Sequence, residues 1–286
     1  MEKQEHWKSS SEVVESSVGM IQQRMNKTKE LLGLDTGFED LNKLLAGLQL
    51  GQLVLLAGRP AMGKTALMQN IVLNIAGQGH GVGVFSFVDS AEQFMLRLIG
   101  IKSLVSMSEI LNGTVDAETQ LPNITHACQH IDSLPIFTQD RLGSVDDIID
   151  EVRSLKETQD NLALVVIDHI GLVGAANSSQ KLKMLAKELN VCILVLSPLS
   201  RKVEKRSDKR PRLTDFRKKA DLVQEADVVC FIYRDEYYDV DSPEKGITEV
   251  IIAKQRNGPI GTIKLQFEGK HLRFYNLMPD YLDGFF

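Results

Sequence analysis

The sequence predicts an α/β protein: a mostly parallel sheet with helices on both faces and an antiparallel extension at its end. Three observations predict it. A strand, a glycine loop and a helix follow one another at residues 52–76. Short apolar runs then alternate with helical stretches. Finally, three strand-like runs crowd together between residues 248 and 277.

Residues 1–30 stand apart and are expected to form a linker or interface helix, with residues 31–286 as the main domain. In "SEVVESSVGMIQQRM", Val13, Val14, Val18, Ile21 and Met25 make one apolar stripe at helical spacing. Such a stripe is expected to bury itself against its own domain or a neighbouring subunit. The run "QLVLLA" reads as a buried strand and "TALMQNIVLNIA" as a helix. "VGVFSF" (82–87), "LALVVID" (162–168), "VCILVLS" (191–197) and "DVVCFIY" (227–233) are rich in β-branched residues and read as buried parallel strands. "SVDDIIDEVRSLKET" and "SQKLKMLAKEL" have helical periodicity. "TEVIIAKQ", "GTIKLQF" and "HLRFYNL" are joined by the short turns "RNGPIG" and "EGK", which implies antiparallel pairing.

Composition bounds the function. The chain has 286 residues, 43% hydrophobic and 25% charged, as in an ordinary globular protein. No apolar run approaches the roughly 18 residues that suggest a membrane span, and the first residues lack an apolar signal core. Cys128, Cys192 and Cys230 have no metal spacing, and two lie in apolar runs. A reduced cytoplasmic setting is expected. The net charge of −5 argues against a generally basic surface, but residues 201–219 hold ten Lys or Arg against three Asp or Glu. Lys205, Arg206, Lys209 and Arg210 are therefore candidate polyanion contacts. A solvated loop, or an interface with an acidic neighbour, fits the same charge run.

Two motifs carry chemistry. "GRPAMGKTA" has the form G-x-x-x-x-G-K-T between a strand and a helix, the context this phosphate-binding loop requires. Gly58, Arg59, Pro60, Ala61, Met62, Gly63, Lys64, Thr65 and Ala66 are its residues. Backbone N–H groups there cradle phosphates. Lys64 is placed to reach β and γ phosphates and Thr65 to bind Mg²⁺. In "LALVVIDH", Asp168 closes a buried strand, the position of a second Mg²⁺-holding group. ATP and Mg²⁺ are the expected ligands. His169 reads better as a flanking polar group than as a catalytic one.

From Leu31 to about Leu277 the chain resembles the C-terminal ATPase domain of DnaB-type replicative helicases. The resemblance rests on "LDTGFEDLNKLLAGLQLGQLVLLAGRPAMGKTA", "SAEQFMLRLIG", "LVVID", "LAKELNVCILVLSPLSRKVEKRSDKRPRLTDFR", "EADVVCFIYRDEYY" and "VIIAKQRNGPIGTIKLQF", in that order. It implies a RecA-like fold, a six-membered ring of identical subunits and ATP-driven movement along single-stranded DNA in replication. It also implies that Lys254 and Arg256 act across the interface on a neighbour's γ-phosphate.

The sequence departs from that family at chemically important places. A glutamate that polarises the attacking water is replaced by Val88, which cannot accept a proton. Asp89 is the candidate substitute, although strand alternation would turn it to the other face unless a bulge intervenes. Glu92 matches a different family glutamate. Pro198 stands where a γ-phosphate-sensing glutamine is usual. The segment between "DHIGLVG" and "KMLAKELN" is short, and Gly171, Ala220 and Val223 are further changes. Two functions are thus expected to compete: an active helicase motor using Asp89, and an impaired ATP-binding paralogue that assembles with or regulates a replicative helicase.

Overall fold

The computed structural model describes residues 7–26, 31–169, 177–216 and 220–277. Residues 170–176, which include Gly171 and the first two residues of the shortened segment, lie outside the described residues, as do residues 217–219 at the end of the basic run. Six parallel strands form the body: β1 (Leu53–Gly58), β2 (Gly81–Ser86), β3 (Ile136–Gln139), β4 (Leu162–Asp168), β5 (Cys192–Pro198) and β6 (Val228–Tyr233). β7 (Ile247–Gln255), β8 (Gly261–Glu268) and β9 (Arg273–Asn276) extend the sheet antiparallel. The order across the sheet is β3-β2-β4-β5-β1-β6-β7-β8-β9.

The helices are α1 (Ser10–Asn26), α2 (Glu39–Leu45), α3 (Lys64–Gly77), α4 (Ala91–Ser103), α5 (Met107–Asn112), α6 (Leu121–Asp132), α7 (Val145–Thr158), α8 (Ser178–Leu189) and α9 (Ala220–Glu225). α2, α3, α4 and α6 pack on one face of the sheet and α7, α8 and α9 on the other. Val54, Leu56, Val84, Val166 and Leu194 pack with Leu41 of α2, Ile71 and Ile75 of α3 and Phe94 of α4. Their strand neighbours Leu53, Leu55, Val165, Ile167 and Val195 pack with Ile148 of α7, Leu182 and Leu185 of α8 and Leu222 of α9. Burial on both faces is the reason these strands read as unbroken apolar runs rather than alternating ones. Cys192 and Cys230 are buried in strands, and burial pushes each thiol up to about 12.

Three differences from the sequence reading have physical causes. β3 has no strong apolar signal, because its four residues are only half-buried at the sheet edge and depend on pairing with β2. β2 ends at Ser86, before Phe87, so the residues after it are free of strand alternation. The stripe on α1 is not covered by the described residues: Val13, Val14, Val18, Ile21 and Met25 are 44–66% exposed.

Candidate active site

Parallel strands present all their C-terminal ends at one edge of the sheet, which is where such folds place their ligands. Gly58 ends β1, Asp168 ends β4 and Pro198 ends β5 at that edge, while Asp89 lies just beyond β2. Gly58 is required by close packing: a Cβ there would stand 2.7 Å from Ile232 Cγ2 and 3.0 Å from the Ile232 carbonyl oxygen. Gly63 takes φ +92° at the N-cap of α3, a left-handed conformation that glycine adopts without strain. Met62 and Ala66 point into the core, so they can offer a ligand only backbone groups.

Lys64 is mostly buried, and its Nζ donates to the Arg59 carbonyl oxygen at 3.0 Å. Burial lowers its pKa to about 8, with the Asp168 charge partly opposing that shift. The Thr65 hydroxyl donates to Asp168 Oδ2 at 2.9 Å. Asp168 is buried, and burial raises its carboxyl above the usual range; the Thr65 hydrogen bond and the nearby His169 and Lys64 charges oppose this, while Asp89 adds to it. A buried carboxylate beside a hydroxyl, with a second carboxylate close by, is a donor set that fits a divalent cation.

Asp89 follows β2 in a bend rather than in a strand. Beyond Ser86 the chain bends, and the Ser86 hydroxyl donates to the Asp89 carbonyl at 2.8 Å. The Asp89 carboxylate is fixed by Arg97 Nε at 3.1 Å and is near enough to Asp168 to disfavour its ionisation. Val88 is 58% exposed. Glu92 instead accepts from the Ser90 hydroxyl at 2.7 Å, within the cap that starts α4. Pro198 pairs with Gly58, so residue 198 borders the loop although it has no polar side chain to offer.

The Arg59 guanidinium leaves the phosphate cradle. It donates to the Leu199 carbonyl at 2.8 Å and to Glu204 at 2.8 Å. Glu204 belongs to the 3₁₀ turn Arg201–Lys205, so the phosphate loop is tied directly to the basic segment. Within that segment, Arg206 is paired with Asp215 at 2.8 Å. Arg210 makes a two-point pair with the buried Glu249, at 2.8 and 2.5 Å. Lys209 lies over the Tyr238 ring, 5.0 Å from its centroid. Between residues 201 and 216, the exposed cations with no ion pair among the described residues are Arg201, Lys202 and Lys205.

Lys254 and Arg256 lie at the other edge of the sheet. The Arg256 N–H donates to the Asp227 carbonyl, and the Asp227 N–H donates to that of Leu53, the first residue of β1. Arg256 is thus level with Leu53, about 16 Å of strand from Gly58, and cannot reach its own chain's phosphate loop. Lys254 Nζ donates to the carbonyls of Val223, Gln224 and Ala226 at 2.7, 2.9 and 2.7 Å. Sequence reasoning missed Asp227, whose only signal is an acidic residue just before a buried apolar run.

A strand–phosphate loop–helix unit, a strand-end aspartate on the loop's threonine and this strand order define a RecA-like P-loop protein. The comparisons narrow the class. The family model of the DnaB-like helicase C terminal domain matches residues 33–276. The chain is 36% identical to Replicative DNA helicase DnaB of Geobacillus stearothermophilus, over 95% of this chain and 62% of that protein. It is also 36% identical to Replicative DNA helicase DnaC of Bacillus subtilis, over 90% and 59%. It therefore spans about three-fifths of the length of those relatives. Among solved structures, an isolated ATPase domain superposes with a TM-score of 0.89 at 32% identity, covering 93% of this chain and 99% of that one. A DnaB-like replicative helicase, solved in a study of its interactions with primase, gives 0.86 at 34%, covering 92% and 66%. The chain belongs to the DnaB-like replicative helicase family and corresponds to its C-terminal domain.

Proposed function

We propose that this chain is an ATP-hydrolysing motor that moves along single-stranded DNA as a ring of like subunits, six in the family pattern. The observation that carries the reading is the meeting of Lys64, Thr65 and Asp168 at the mouth of a glycine-shaped loop. ATP would lie along the backbone amides of residues 58–65, with Lys64 exchanging the Arg59 carbonyl for a β- or γ-phosphate oxygen. Thr65 and Asp168 would hold Mg²⁺, which when bound neutralises phosphate charge. Asp89 is the carboxylate that orients the attacking water and takes its proton, in place of the residue replaced by Val88. Arg256, out of reach of its own site, serves the phosphate of the adjacent subunit. Lys254 is spent on the end of α9 and supports that role rather than sharing it.

Arg201, Lys202 and Lys205 are the cations offered to DNA, in place of Arg206 and Arg210, whose charges are used internally. α1 is the linker helix, its open stripe seated on a neighbouring subunit. That neighbour is a second copy or a replicative helicase paralogue. No described helix is long and apolar enough to cross a membrane.

The test is steady-state ATP turnover with and without single-stranded DNA, beside a titration of nucleotide binding. Turnover that DNA stimulates is expected. Tight Mg²⁺–ATP binding with no turnover would leave an ATP-binding paralogue instead.

A further inference from the structure

We infer that Asp227 is a positioning residue for Arg256, so that one subunit's buried carboxylate governs hydrolysis at the next subunit's nucleotide. The inference rests on the reading of Arg256 as a trans-acting cation. Asp227 joins α9 to β6 and has a side chain only 8% exposed. Its two oxygens divide their work. Oδ2 accepts from the Leu53 N–H at 2.8 Å and from Lys183 Nζ at 2.5 Å. Oδ1 faces Arg256 Nε at 3.3 Å. Lys183 also donates to the Gly51 carbonyl, so β1 and α8 together hold the carboxylate in place.

That anchorage determines how Arg256 is presented. Its guanidinium is held along one side, by Asp227 at Nε and by the Gln224 and Glu225 carbonyls near Nη2, both at 3.4 Å. The side chain remains 48% exposed. An arginine held by one edge with the other edge free is preorganised to meet an incoming phosphate, because the entropy of fixing its long side chain is already spent. Lys254 completes the platform. Its ammonium has three donors, and three carbonyls at the end of α9 use all of them. It fixes the helix end on which Arg256 rests.

A purely structural account would give Asp227 no role beyond neutralising Lys183. The two accounts separate in a pair of variants, Asp227→Asn and Asp227→Asn combined with Lys183→Met. The double change removes both members of the buried pair, so no unpaired charge is left to unfold the protein. The readouts, on the assembled full chain, are binding of a fluorescent ATP analogue and trapping of Mg²⁺, ADP and aluminium fluoride, which mimics the transferring phosphoryl group and needs no turnover. Both variants are expected to bind the analogue within about twofold of the parent, yet to lose trapping by at least about tenfold, a fraction of what a trans arginine contributes. Adding Lys64→Ala subunits, whose Asp227 and Arg256 are intact, is expected to restore trapping. Normal trapping by the double variant, beside a loss in Arg256→Ala, would overturn the role of Asp227 alone. Failure of Lys64→Ala subunits to restore trapping would also overturn it. Normal trapping by Arg256→Ala would instead overturn the trans reading beneath it.

Discussion

Lys64 makes its role measurable through pH. Its pKa is about 8 in the folded chain against 10.5 for a free lysine, because burial disfavours the ammonium. The folded apo protein therefore holds this charge at a disadvantage below pH 8, and its stability is expected to rise as pH climbs from about 8 toward 10.5. Phosphate reverses the preference. Binding of Mg²⁺–ATP should take up a proton near pH 8–9, and affinity should fall by up to about tenfold per pH unit above the apo pKa. Calorimetry in buffers of different ionisation enthalpy reads the proton directly, and Lys64→Ala should abolish both the uptake and the ATP-induced rise in melting temperature. At the neighbouring position, Asp89→Ala is expected to lower turnover by about 10²–10⁴, and Val88→Glu to raise it or leave it unchanged. Robust turnover in Asp89→Ala would point to another base. In the sequence, strand alternation weighed against Asp89 unless a bulge intervened. The strand ends at Ser86, and alternation does not hold beyond a strand's end.

At the scale of elements, the basic segment divides into cations that hold structure and cations that face solvent. Arg210→Ala should strip Glu249 of its partner and cost about 2 kcal/mol, read as a lower melting temperature with little change in DNA affinity at matched folding. Charge reversal at Arg201, Lys202 and Lys205 should do the opposite. It should leave stability near the parent value and weaken single-strand binding. The salt slope should also fall, by about 2 log units per log unit of salt if all three meet phosphates. Unchanged DNA affinity with broken oligomers would make the segment an interface. The sequence showed the charge run but not this division, because the acidic partner Glu249 arrives from β7, far along the chain. The strands were more legible. β4 and β5 are buried on both faces and are apolar up to their C-terminal ends, whereas β3 is half-buried at an edge and is defined only by its pairing with β2. The end of α9 was hidden for the same reason as Glu249: its cap is the ammonium of Lys254 on another element.

At the scale of the whole molecule, incompleteness is the informative property. The phosphate loop and Arg256 sit at opposite edges of one sheet, and the apolar stripe of α1 has no cover among the described residues. Under the proposed function such a chain completes its site by head-to-tail contact, the arrangement that closes into rings. Removing residues 1–30 is expected to shift the protein toward monomer on a sizing column and to lower turnover while single-site nucleotide binding persists. The most direct measurement of the central claim is ATP turnover in mixtures of Lys64→Ala and Arg256→Ala subunits. Each variant alone should be nearly inactive. Mixed in equal amounts, about a quarter of the interfaces should join an intact loop to an intact Arg256, and turnover should return to about that fraction of the parent rate. If the mixture stays as inactive as its components, or if Arg256→Ala alone turns over at the parent rate, then hydrolysis is not shared between neighbouring subunits.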